Sequence, residues 1–239
     1  MKVKEFFKNK IIGKTWLKVL SFCSVPFFIF MCLFEAEYLH YRIKDTMFYR
    51  WERNPLSVVF AFIVFAIISL VLLLFTKKLW IYGVCFGALT VIAGLINCIK
   101  AAANGDNFMP WDISMAGKLD QLVSFAKIDL PKYTFAGIAV ISAFIVIFAL
   151  SKAQIPVRWY IRVPGAAAIF SVFVMFYNMP ELTEKVFRKF EMSFEDSILQ
   201  STNYNTNGFV SAFTINCFAL KVVPPEGYGK EKIYEYLDA

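Results

Sequence analysis

Hydrophobic residues in this chain occur in long uninterrupted blocks, not in the alternating patterns of soluble helices or strands. Three blocks, Leu56–Phe75, Leu79–Ile99 and Tyr133–Leu150, run for 18 to 21 residues without a formal charge. A helix rises about 1.5 Å per residue, so each block is long enough to cross the roughly 30 Å hydrocarbon core of a bilayer. The pattern therefore predicts an integral membrane protein.

Two weaker blocks complete the predicted set of spans. Val19–Phe34 carries no charge and can extend to residue 16 if Lys18 reaches the interface, and Pro26 is expected to kink it. Val163–Met179 is the other block. We predict an all-α membrane protein whose domain 1–180 has five transmembrane helices, followed by a helical linker segment over 181–239. The spans are expected near residues 16–34, 56–75, 79–99, 133–150 and 163–179.

Basic residues predict the orientation of these spans. Lysines crowd the segment before the first span, and Lys77 and Lys78 fill the short connection between the second and third. The positive-inside rule then favours a cytoplasmic N-terminus and an extracellular C-terminus, in a multi-pass protein of the bacterial cell membrane. A cleaved signal peptide is the alternative for the N-terminus. It is disfavoured because Glu35-Ala36-Glu37 stands where small residues would mark the cleavage site.

Composition agrees with this class of protein. Apolar residues make up 59% of the chain and charged residues 18%, against roughly 25% charged in soluble domains. The net charge of +7 raises the possibility of nucleic-acid binding. The charges cluster at the ends of the apolar blocks, however, so we expect no nucleic-acid partner.

Residue types that carry catalysis or bind metals are sparse. The chain has one histidine, His40, for which we favour an interfacial role beside Tyr41, and five cysteines without zinc or redox spacing. We assign no catalytic residue and no metal ligand. The predicted spans two to five carry no charge, which argues against an ion-coupled transporter. Gly83 and Gly87 form a GxxxG pair that serves either packing within the chain or a dimer contact.

Two segments outside the spans invite interpretation. The loop 100–132 is expected to hold an interfacial helix from about Asp112 onward, which either lies on the bilayer or guides lipid headgroups. Possible headgroup contacts are Arg42, Asp112 and Lys118. After Pro180 an amphipathic helix is expected, then a chain break over 203–208, an apolar run over 208–220 that is too short to span, and a short helix over 230–237.

Four stretches resemble the membrane portion of the lipoteichoic acid synthase and phosphoglycerol transferase family, which is sulfatase-like. They are Arg42 with Arg53-Asn54-Pro55, the loop Gly105–Ile113, the segment Asn203–Phe209 followed by Phe213 and Asn216, and the linker Lys221–Tyr228. The linker is similar to the family's usual "KPEGYS" entry to the catalytic domain, with Gly229 in place of serine.

The resemblance implies a membrane-anchoring module that positions an extracellular sulfatase-like catalytic domain. That domain binds a divalent metal, often manganese, uses a threonine nucleophile, and transfers glycerol phosphate from phosphatidylglycerol to a glycolipid-anchored polymer. No catalytic threonine or metal ligand of the family maps onto this chain, so we expect this domain to be missing from the chain and the chain alone to be inactive and without a cofactor. Expected partners are membrane lipid, in particular phosphatidylglycerol, and a sulfatase-like domain or subunit. The sequence does not distinguish phosphoglycerol from phosphoethanolamine as the group transferred. The alternatives are a stand-alone scaffold or partner-binding protein and, less favoured, a small transporter.

Overall fold

The computed structural model describes residues 15–118, 130–155, 157–192 and 200–218 and, for residues 104 and 115–118, the backbone only. All the regular elements in these ranges are helices. The α-helices are α1 (Thr15–Cys23), α2 (Val25–Tyr41), α3 (Lys44–Arg53), α4 (Pro55–Phe75), α5 (Leu79–Asn104), α6 (Thr134–Ser151), α7 (Trp159–Asn178), α8 (Pro180–Lys189), α9 (Gln200–Asn207) and α10 (Phe209–Phe218), with a 3₁₀ segment over Pro110–Lys118.

Four of these helices, α4, α5, α6 and α7, are long and apolar enough to cross a membrane. The pair α1 and α2 makes a fifth candidate if it counts as one span, although the two helices meet at an angle of 42°. This bend lies at Ser24, and Pro26 occupies the first turn of α2, where its missing N–H costs no hydrogen bond. The described residues thus contain helices and four or five candidate spans, which suggests a multi-pass membrane protein, as the apolar blocks predict.

The first predicted span differs from the structure at its end. We expected it to stop at residue 34, before Glu35 and Glu37, but α2 continues through Tyr41 and buries both carboxylates. A charge pattern places such residues in a loop because ionised groups avoid apolar surroundings. In this protein the helix continues because two backbone N–H groups of α10 donate hydrogen bonds to Glu37.

The helix α2 is the centre of the bundle and packs against α4, α5 and α6. Its Phe28 is fully buried and contacts the rings of Tyr82, Phe86, Phe144 and Phe148. On α5, Gly83 and Gly87 face side chains of α6, so the GxxxG pair serves packing within the chain. By contrast, α7 has no buried residue and lies at the periphery against α4 and α8.

The two ends of the bundle differ in what closes them. At one end, which we name the hairpin end, the turn Thr76–Lys78 joins α4 to α5, and Leu79 N donates to Ala153 O at 3.1 Å. At the other end, which we name the clamp end, the C-terminus of α2 and the N-terminus of α4 bind α9 and α10, which together we name the tail. At the same end α5 binds the loop before the 3₁₀ segment, and the start of α6 binds α2.

The structure of the tail differs from one expectation drawn from the sequence. Residues 203–207 were expected to break the chain, but they belong to α9, and the break is confined to Gly208, whose φ is 84°. Glycine adopts this left-handed conformation without a Cβ penalty, which lets the chain turn sharply into α10. The apolar helix α10 docks on α2 and α4. The linker at 221–228 and the helix expected over 230–237 lie outside the described residues.

Candidate functional site

A carboxylate from α2 holds the start of the tail helix α10. Glu37 Oε2 accepts a hydrogen bond from Phe209 N and Oε1 accepts one from Val210 N, both at 3.0 Å. The first N–H groups of a helix have no partner within the helix, and the helix dipole favours negative charge there. Glu37 is only 2% exposed, so these two bonds replace its hydration. The contact is close: a Cβ added to Gly208 would lie 2.6 Å from Glu37 Oε2.

A closed ring of four hydrogen bonds lies next to this contact and joins α2, α5, α9 and the loop before the 3₁₀ segment. His40 Nε2 lies 3.0 Å from Tyr204 O, and Asn97 Nδ2 lies 3.2 Å from His40 Nδ1. Asn97 Oδ1 accepts from Phe108 N at 2.8 Å, and the Tyr204 hydroxyl donates to Phe108 O at 2.8 Å.

The ring determines the state of its members. A backbone carbonyl only accepts hydrogen bonds, so His40 carries its proton on Nε2 and accepts at Nδ1, which makes it neutral. Burial raises the pKa of the Tyr204 hydroxyl, so this group stays a donor. His40 is therefore a buried structural residue and not the interfacial side chain that the sequence suggested.

Further side chains bind the carbonyls at the end of α9, which would otherwise lack partners. Ser57 Oγ donates to Asn207 O at 2.5 Å, and the Tyr41 hydroxyl donates to Asn205 O at 3.3 Å. Ser211 Oγ in turn donates to Ser57 O at 3.0 Å. The turn at Gly208 is thus held on both sides, its carbonyls by α2 and α4 and its amides by Glu37. We name this set of contacts, together with the four-bond ring, the polar clamp.

The loop before the 3₁₀ segment is fixed by an ion pair. Lys100 Nζ lies 2.6 Å from Asp112 Oδ2 and donates to Asn107 O at 2.8 Å. The same Asp112 oxygen accepts from Met109 N at 2.7 Å. Asp112 therefore shapes the loop that supplies Phe108 to the clamp.

The three predicted headgroup contacts all fall at the clamp end. Arg42 is the left-handed residue that ends α2, with a φ of 63°, and its N donates to Tyr38 O. Asp112 forms an ion pair with Lys100. Lys118 is the last residue of the 3₁₀ segment, and the structure describes only its backbone. Contact of these residues with lipid headgroups stays a prediction.

The cavity at the clamp is small. The cavity beside Glu37, Arg50 and Asn207 has a volume of about 10 Å³, which is room for about one water molecule. No group of three or more His, Cys, Asp or Glu that could hold a metal occurs in the ranges that the structure describes. What the arrangement can do is fix the tail rigidly against the bundle.

Sequence reasoning missed the role of the clamp residues on α2, α4 and α5. The charge pattern places Glu37 in a loop, and Asn97 lies near the end of the predicted span 79–99 with nothing in the sequence to mark its role. One signal was present: Glu37, His40 and Tyr41 stand at positions i, i+3 and i+4, which places them on one face of a helix. Polar residues on one face of a membrane helix point to a buried partner.

Comparisons of the chain with protein-family models, with curated proteins and with solved structures find no match.

Proposed function

We propose that this protein is the membrane module of a phosphoglycerol-transferase-like protein of the lipoteichoic acid synthase group. Its role is to hold a sulfatase-like catalytic domain, as a following domain or a separate subunit, at a fixed place over the extracellular face of the membrane. Phosphatidylglycerol is the lipid that this domain would use, and manganese is the metal that it would bind.

One observation carries the proposal. Of the four stretches that resemble the family, the three within the described residues meet at the clamp end, although they lie up to about 170 residues apart in the chain. Arg42 and Asn54-Pro55 end α2 and begin α4, the loop Gly105–Ile113 contributes Phe108, and Asn203–Phe209 forms the clamped turn. This convergence supports a common task, which we take to be the rigid docking of the tail.

The docking matters physically because an enzyme acting on a lipid headgroup must meet its substrate at one height and angle. A displacement of about 1 Å in a catalytic arrangement can lower a rate about 100-fold. Two carboxylate hydrogen bonds and a closed ring of hydrogen bonds fix the tail relative to the bundle as far as Phe218, which supports this role.

A module exchange tests the proposal. Residues 1–239 replace the membrane domain of an active phosphoglycerol transferase of this group, and manganese-dependent turnover of phosphatidylglycerol is measured in proteoliposomes. We expect turnover at least about tenfold above that of a chimera with an unrelated five-span module, since only the correct module places the active site. Hydrolysis of a soluble substrate analogue, equal in both chimeras, shows that the catalytic domain is folded. Turnover equal to that of the unrelated module would contradict the proposal.

The chain by itself gives a second test. Purified protein incubated with phosphatidylglycerol and manganese is expected to release no glycerol phosphate. Robust metal-dependent turnover by the chain alone would mean that it carries its own active site.

A further inference from the structure

Glu35 is the second buried acid of α2, and it differs from Glu37 in what surrounds its carboxyl group. Its exposed fraction is 0%, and neither of its oxygens has a hydrogen-bond partner among the described residues. Both oxygens of Glu37, two residues later, accept backbone N–H groups of α10. Ionisable residues inside a membrane bundle are rare, and each is by default a candidate for a functional site.

The carboxyl group of Glu35 packs against the backbone of α6. A Cβ added to Gly137 would overlap Glu35 Oε2, so the glycine leaves the room that the carboxyl group occupies. Gly137 is itself partly exposed, so the carboxyl lies close to the outer surface of the bundle, although no solvent reaches it. The contact between α2 and α6 therefore determines whether Glu35 is shielded from water.

No cation among the described residues balances a charge on Glu35. Helices α4, α6 and α10, which pack against α2, contain no charged residue. The one cation of α5 is Lys100, which forms the ion pair at the clamp end, and the one cation of α1 is Lys18, beyond the bend. The cations of α3 are exposed, apart from Arg50, which lines the small cavity of the polar clamp on another face of α2.

The other titratable groups around α2 are neutral or bind elsewhere. Glu37, His40 and Tyr41 bind the tail, and the acids of α3 are exposed. What remains inside the bundle are thiols and phenols, which are uncharged at neutral pH. They are Cys32 and Tyr38, one turn before and after Glu35 on α2, Tyr82 and Cys98 on α5, and Cys217 on α10.

These surroundings favour the protonated form of the carboxyl group. An isolated carboxylate in an apolar environment is so costly that the group takes up a proton instead. Polar groups lie between this position and the clamp end, where the Tyr38 hydroxyl accepts from Tyr133 N at 3.1 Å and the buried Thr134 hydroxyl has no partner in the described part of the chain. Glu35 lies six residues before the end of α2. This is about 9 Å along the helix, so the clamp end gives the shorter route for a proton.

We propose that Glu35 is a proton-binding site, which holds its proton while α6 is packed on α2 and releases it to water when α6 moves away. The proton adds to one carboxylate oxygen and leaves a neutral acid, so the step needs no other reactant. Because the packed form binds the proton, packing of α6 weakens as the pH rises. The site depends only on the contact between α2 and α6, and it is independent of the proposed catalytic partner.

Infrared spectroscopy of the purified full chain tests the state of the carboxyl group. A protonated carboxyl group has a C=O stretch separate from the bands of a carboxylate, and this stretch shifts when deuterium replaces the proton. The protein is measured in a detergent without carbonyl groups at about pH 7.5, where exposed Asp and Glu side chains are ionised. We expect a deuterium-sensitive band that corresponds to about one protonated carboxyl group per chain.

Two acids on one helix provide a matched pair of variants. Glu35→Gln should remove the band, and Glu37→Gln should leave it, because Glu37 is the carboxylate that binds the start of α10. Glu35→Leu should also remove the band, which keeps the test valid if the glutamine variant does not fold. A band that is absent from the unaltered protein, survives the loss of Glu35 or disappears with Glu37 would overturn the proposal.

Hydrogen exchange at two pH values tests the coupling to helix packing. Rates are corrected for the intrinsic effect of pH on exchange. Amides in the first half of α6 should then exchange at least about fivefold faster at about pH 9.5 than at about pH 6.5. In Glu35→Leu this ratio should fall to about one, since no group is left there to release a proton. The same ratio in both proteins would overturn the link between the proton and the packing of α6.

Discussion

Glu37→Gln removes the charge that holds the tail and changes almost nothing else. Gln has the same shape and retains one acceptor oxygen, but its NH₂ group would face the second of the two backbone amides, Phe209 N or Val210 N. One charge-assisted hydrogen bond is lost, and one buried N–H is left without a partner. The side chain is 2% exposed, so water does not take its place.

The magnitude follows from these two effects. An unsatisfied buried amide costs about 1–3 kcal/mol, and hydrogen bonds to charged groups contribute about 1.5–3 kcal/mol. The interaction of a carboxylate with a helix N-terminus adds up to about 2 kcal/mol. The effects overlap, so we expect Glu37→Gln to weaken docking of α10 by about 2–4 kcal/mol in total. That corresponds to faster local opening by about 30-fold or more.

Hydrogen exchange with mass spectrometry on protein in nanodiscs measures this opening directly. Amides of α10 should exchange about 30-fold faster in Glu37→Gln, while those in the middle of α5 keep their rates. Glu52→Gln, an exposed acid on α3 at the same end, is the control and should leave α10 unaffected. A change below about threefold in α10 would refute the reasoning, because a neutral side chain would then hold the tail equally well.

Three further substitutions extend the test. Gly208→Ala places a Cβ at a φ of 84° and against Glu37 Oε2, so α10 should open faster in the same exchange assay, and normal protection would contradict the tight fit. Glu35→Leu should stabilise the protein, because both Glu35 oxygens are buried without a hydrogen-bond partner among the described groups. We expect the free energy of unfolding to rise by about 1–3 kcal/mol and the Tm to increase. A lower Tm would contradict this and would indicate that Glu35 has a partner. Asn97→Leu opens the hydrogen-bond ring and should lower the free energy of unfolding by about 2–4 kcal/mol, and with it the Tm. An unchanged Tm would mean that the ring adds no stability.

The sequence was sufficient to predict the bundle because a bilayer imposes a length on apolar helices. The blocks at 56–75, 79–99 and 133–150 each coincide with a helix to within a few residues at either end. The fifth predicted span also forms a helix, α7, although it begins at Trp159, four residues before the predicted start. Charged residues near its start did not stop this helix, because arginine at a helix end reaches the interface with its long side chain.

The clamp was beyond sequence reasoning for a different reason. The partners of Glu37 come 172 and 173 residues later in the chain, and no local sequence pattern predicts such a contact. A rule based on charge alone ends the first span at residue 34, before Glu35, whereas α2 runs seven residues farther, to Tyr41. Conversely, Asn203–Asn207 looks like a loop by composition, and it is helical because α2 and α4 bind the carbonyls at its end.

A test of membrane orientation by cysteine labelling needs a thiol that reacts at neutral pH. Cys217 is a poor one, since burial raises its pKa to about 11 and leaves little thiolate at neutral pH. Asn205 is exposed at the clamp end, and Tyr41 contacts only its backbone carbonyl, so a cysteine there keeps the contact. Lys77 is exposed at the hairpin end and serves as the matched position.

Labelling of intact cells with a membrane-impermeant maleimide tests most directly the claim that the polar clamp holds the tail on the extracellular side. The variants Asn205→Cys and Lys77→Cys are compared in a background without the native cysteines. The account predicts that Asn205→Cys reacts in intact cells and that Lys77→Cys reacts only after permeabilisation. Reaction of Lys77→Cys in intact cells, with Asn205→Cys protected until the membrane is opened, would contradict it.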